Sequence, residues 1–202
     1  MEDKKINERE SIELISRMIR ETQTNTARHS AYPMLVWGYL TCIVSLFVWV
    51  GYTFIWENAS WLNYCWLAIP LIGFPLSLSY LKKQKRIGAS NYMDRTIKYI
   101  WAVIGSCVFM LSILTILNLI AVNILLDVAL LISIGATLSG LVMWYRPIII
   151  TGILGIALSF ILGVWEVLFS QYIVLWFVIV FVVIMIIPGH ILQAELKKNE
   201  RA

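Results

Sequence analysis

Charges divide this chain into three long apolar blocks. Residues 33–81 hold a single charged side chain, Glu57, residues 99–145 hold Asp127, and residues 147–194 hold Glu166. The blocks are 49, 47 and 48 residues long. Each is too long for one helix across a hydrocarbon core of about 30 Å and suits two helices joined by a tight turn. Backbone groups cannot stay unpaired in lipid, so each block predicts an α-helical hairpin. A β-barrel would need short alternating segments, and these continuous runs do not alternate. The expected fold is therefore an all-α membrane protein with six transmembrane helices in three hairpins. The spans fall at about 34–55, 61–81, 99–119, 124–145, 148–166 and 171–190. They lie in a membrane domain of residues 33–194, between an N-terminal segment, 1–32, and a tail, 195–202.

Composition agrees with this solvent. Apolar residues make up 60% of the 202 and charged residues 14%, with a mean hydropathy of +0.80. Soluble domains carry about 25% charge, and so much apolar side chain could not be covered by polar surface. The same numbers exclude disorder. Cys42, Cys65 and Cys107 all fall in apolar stretches without a CxxC pair and read as small hydrophobes.

The drawn spans put all 16 Lys and Arg on one side. Six lie in residues 1–32, six in 82–98, one at Arg146 and three in 195–202. The positive-inside rule then places both termini in the cytoplasm. Aromatic residues gather at both interfaces, with Trp56, Trp61, Tyr64, Trp165 and Tyr172 at the outer one. Tyr80, Tyr99, Trp101, Trp144 and Tyr145 mark the inner one. The first apolar run starts late, is too long for a signal-peptide core and follows an acidic segment, so the first span is expected to act as the insertion signal. A net charge of +4, spread by topology, gives no nucleic-acid footprint.

The first and third blocks resemble one another. Pro33, Gly38, Leu40, Ser45 and Val50 recur at a constant offset as Pro147, Gly152, Leu154, Ser159 and Val164. Such hairpins would be parallel copies, unlike the inverted repeats of many secondary transporters.

Residues 1–32 balance six basic and six acidic side chains. Ile12, Ile15 and Ile19, with Leu14 and Met18 beside them, form an apolar stripe on an amphipathic helix over residues 7–22. The polar run Gln23-Thr24-Asn25-Thr26 predicts a break after it. The stripe either packs on the bundle, which is the commoner use, or docks a protein partner or a second copy. Zero net charge argues against an anionic-lipid anchor.

Candidate chemistry is sparse. Asp127 is the acidic residue clearly inside a predicted span, near its outer end, with Asn118, Asn123 and Asn63 as polar neighbours. An intramembrane carboxylate suggests proton or cation handling. Near the membrane edge, a hydrogen-bonding or interfacial role is the commoner explanation. Thr151, Gly155, Ser159 and Gly163 repeat every four residues, as do Ala136 and Gly140, and small residues let helices approach closely in lipid. Packing within one chain explains them more simply than a dimer interface. Pro70, Gly73 and Pro75 predict a kink or break in the second span. Pro188-Gly189 is expected to loosen or end the sixth.

The histidines, His29 and His190, lack further ligands in register, so neither a metal nor another cofactor is expected. No GxSxG, HExxH, P-loop or GxGxxG is present. Glu10-Ser11-Ile12, Trp37-Gly38-Tyr39-Leu40, Gly73-Phe74-Pro75 and Pro188-Gly189-His190-Ile191-Leu192 give the chain its likeness to known sequences. In them it resembles a group of bacterial inner-membrane proteins of about this length without an established activity. The resemblance implies a bacterial inner membrane. Three functions then compete. A non-enzymatic accessory or sensor protein acting through a partner is preferred, because the spans hold few polar groups. A small transporter or channel using Asp127 and the kinked second helix comes next. A membrane enzyme is disfavoured.

Overall fold

A computed structural model describes residues 8–55, 60–83, 92–117, 119, 122–169 and 172–199. Trp56, Glu57 and Asn118 lie outside the described residues, as do the side chains of Ile19, His29, Trp165 and Glu166. The described residues are helical nearly throughout. α1 covers Glu8–Val50 and ends in a π-helical turn, Gly51–Ile55. A 3-10 helix, Ser60–Leu67, leads into α2, Ala68–Lys83. α3 is Tyr92–Ile116, α4 Ile124–Met143 and α5 Arg146–Phe169. α6, Ile173–Phe181, runs through a π-helical segment, Val182–Ile186, into α7, Ile187–Asn199. Six stretches are long and apolar enough to cross a membrane: Ser30–Phe54, Trp61–Tyr80, Tyr92–Ile116, Ile124–Met143, Arg146–Val164 and Ile173–Glu195. This is a multi-pass membrane protein built from three helical hairpins.

The structure decides three local expectations. The helix of the N-terminal segment does not stop at the polar run; it continues unbroken into the first span. Thr and Asn are weak helix formers but not breakers. At the end of that run Thr26 is buried, and its carbonyl accepts a hydrogen bond from Ser30 Oγ at 3.0 Å. In the second span, helix type changes at Ala68, which puts Pro70 in the first turn of α2, where its missing N–H costs least. Of the two outcomes expected at Pro188-Gly189, the sixth span is loosened there and does not end. Pro188 falls in the first turn of α7, directly after the π-helical segment. Gly189 lies so close to Leu35 that a Cβ there would sit 2.8 Å from Leu35 Cδ2.

The helices pack in the order α2, α1, α6, α5, α4, α3, each on the next. The main core holds Cys42 of α1, Ala129 and Ala136 of α4, Leu162 of α5, and Phe177, Phe181 and Ile184 of the α6 span. Trp101 packs against this core and lies beside Gly135. A second cluster, Ala31, Met34, Met143, Ile148 and Leu192, closes the end of the bundle that carries both termini.

The tightest seam joins α4 to α5, across two hairpins. Added Cβ atoms show how closely the backbones approach. At Gly140 the atom would lie 2.9 Å from Ile149 N, and at Gly155 2.7 Å from Ser133 Oγ and 2.9 Å from Ile184 Cγ2. At Gly163 it would meet Leu126. Ala136 and Ser159 are buried along the same seam, and Thr151 is half-buried, donating to Pro147 O at 2.9 Å. Gly152, outside the four-residue stripe, makes the nearest backbone approach, 2.8 Å from Thr137 N. The connection is a tight turn in which Trp144 adopts φ 53° and Tyr145 N–H donates to Gly140 O at 3.0 Å. That left-handed conformation costs a non-glycine residue about 1–2 kcal/mol, offset here by two backbone hydrogen bonds from the helix end.

Gly155→Leu should therefore force α4 and α5 apart and cost at least about 1–3 kcal/mol. Melting in detergent would show a lowered midpoint, and an unchanged midpoint would refute the close seam.

Candidate functional site

The polar groups proposed from the sequence sit at the end of the bundle away from the termini. Asn123 is the N-cap of α4, and its Oδ1 accepts a hydrogen bond from Leu126 N at 3.2 Å. Asp127 follows in the first turn, half-buried, with its own N–H bonded to Asn123 O at 3.0 Å. The unpaired N–H groups of a helix start carry partial positive charge, which favours a carboxylate there. Asn123 and Asp127 thus form one helix-start unit. Asn63 is placed elsewhere: its Oδ1 accepts from Tyr52 OH at 3.1 Å. It lies on the 3-10 segment, which packs on α1 and α2, while α4 packs on α3, α5 and α6. Asn63 and Asp127 belong to different hairpins. Asn118 lies outside the described residues.

Within the helices, buried hydroxyls are satisfied locally. Ser45, Ser133, Ser139 and Ser159 donate to the carbonyls of Thr41, Ala129, Gly135 and Gly155, four residues back, at 2.6–2.8 Å. Such bonds let a hydroxyl enter an apolar interior without a partner on another helix. No buried side-chain nitrogen or oxygen among the described residues lacks a partner.

A second set of polar contacts, missed by sequence reasoning, lies towards the termini. Tyr39 OH and His190 Nε2 are 2.6 Å apart, joining α1 to α7, with the hydroxyl or the ring nitrogen as donor according to tautomer. Tyr145 OH donates to Glu195 Oε2 at 2.8 Å, joining the α4–α5 turn to α7. Trp37 Nε1 donates to Ser77 Oγ at 3.0 Å, and Tyr32 stacks on Tyr80 at 3.9 Å between centroids, both joining α1 to α2. His190 therefore has a partner that its sequence neighbours could not reveal. These contacts staple helices. They do not converge on one point as a catalytic constellation would. Among the described residues, no group of three or more His, Cys, Asp or Glu gathers to hold a metal.

Comparison with protein-family models, with curated proteins and with solved structures returns no match.

Asn123→Ala removes the cap and should cost about 0.5–2 kcal/mol. Asp127→Asn should cost no more than about 1 kcal/mol, the usual scale of a charge–dipole contact at a helix start. Thermal melts of the two variants would test this ranking, which fails if Asp127→Asn proves the more damaging.

Proposed function

We propose that this is a bacterial inner-membrane protein with both termini in the cytoplasm, acting as an accessory or sensor through a cytoplasmic protein partner that binds the N-terminal part of α1. The observation that carries this reading is the continuity of α1. One helix links exposed Ile12, Leu14 and Ile15, at 66%, 48% and 56% exposure, to Ser45 and Val48 inside the core. A segment bound on the outer part can tilt or rotate the inner part directly. The positive-inside distribution of Lys and Arg supports the orientation.

Helical periodicity, at 100° per residue, sets Ile12 on the same face as Thr26, Ser45 and Val48. That face is the one α1 buries, so the stripe looks over the terminal end of its own bundle. A second α1 rod standing there in parallel would overlap the bundle, which is why a separate partner is preferred to a second copy. Asp127, placed in a first helical turn beside its cap, gives no support to a transport path.

Deleting residues 1–22 should release a protein that co-purifies from native membranes, and Ile12→Glu/Ile15→Glu should do the same, both leaving the bundle monodisperse. If the partner stays bound to both variants, the docking role is wrong. Solute flux in liposomes that disappears in Asp127→Asn would favour a transporter instead.

A further inference from the structure

The first helix of every hairpin carries a glycine seven residues before a serine. These pairs are Gly38 and Ser45 in α1, Gly105 and Ser112 in α3, and Gly152 and Ser159 in α5. In two of the three, the second helix of another hairpin covers the glycine. α4 covers Gly152, and the α6 span covers Gly38, where a Cβ would lie 3.0 Å from both Met185 Cβ and Ile186 Cγ1. Ser45 and Ser159 are then fully buried. Around the bundle, α4 serves α5 and the α6 span serves α1. The helix that would serve α3 by the same rule is α2.

That place is vacant. A Cβ on Gly105 would meet nothing within 4 Å, and Ser112 is half-buried. α3 and α2 are also the least buried spans, at 6% and 11%, against 28–39% for the other four. α2 has a face to offer. Gly73 and Ser77 are held against Trp37 of α1, whereas Leu71 and Leu78, on the other side of the helix, are 72% and 54% exposed.

We propose that the Gly105–Ser112 face of α3 is a docking surface for α2 of the same chain, and that the seam between them opens and closes sideways into the bilayer. The structure holds the open form. Closure would bring the two backbones together as the other glycine faces do, at an interaxial distance of about 8–10 Å. The two forms are packings of one bundle, and their balance shifts with whatever binds one form better. This inference does not depend on the partner proposed for α1.

Spin labels at Ser79→Cys and Ser106→Cys would report the seam. The background chain would carry Cys42→Ser, Cys65→Ser and Cys107→Ser and be placed in lipid nanodiscs. Pulsed dipolar measurements should show two distance populations. Gly105→Leu should abolish the shorter one and leave the melting midpoint unchanged, because the added carbons enter open space in the form seen here. A single population unaffected by Gly105→Leu would overturn the proposal. So would a short distance that vanishes on dilution with unlabelled protein, since the occupant would then be α2 of a second copy.

Discussion

Lipid tails are as apolar as the side chains of these helices, so burial cannot drive the helices together as it does in water. Association rests on close contact between backbones and on the few polar groups that find partners. The glycines of the α4–α5 seam meet that need directly. Gly140 brings two backbones together, Gly155 lets Ser133 and Ile184 fill the space a side chain would take, and Gly152 rests on Thr137. The bundle is built outward from that seam. α6 joins through Leu162 and Phe177, and α1 through Cys42 and Gly38. α2 and α3 are attached at the edges, each chiefly to one neighbour.

The polar groups sort by depth. Deep hydroxyls donate to their own helices, and contacts between helices through polar atoms cluster towards the ends. The cost of an unpaired polar group in hydrocarbon explains the division. The interior is held mainly by shape, and the rims by hydrogen bonds. Asp127 fits this scheme as part of a helix start, where its charge meets the N-terminal dipole of α4. Among the described helices α1 is the longest, running from the exposed N-terminal part into the core.

Hairpin count and span positions were legible because charge is so expensive in lipid that Glu57, Asp127 and Glu166 alone interrupt the apolar blocks. The small residues of α4 and α5 were legible by spacing, although Gly152 escaped a strict period of four. Three features were not legible, because tertiary context decided them. The polar run before Thr26 resembles a linker, yet it stays helical and ends with Thr26 buried. Pro188-Gly189 reads equally as a loosening or an end, and only the folded chain, π-helical just ahead and helical beyond, decides between them. Tyr39 and His190 are 151 positions apart, and no local pattern joins them.

The arrangement depends most on lipid being the solvent for three hairpins whose basic flanks stay on one side. Reporter enzymes fused after Phe54, Val122 and Leu168, with a control fused at the C-terminus, test that most directly. All three internal fusions should be active only on the outer side of the membrane and the terminal fusion only on the cytosolic side. Cytosolic activity from any internal fusion would contradict the arrangement.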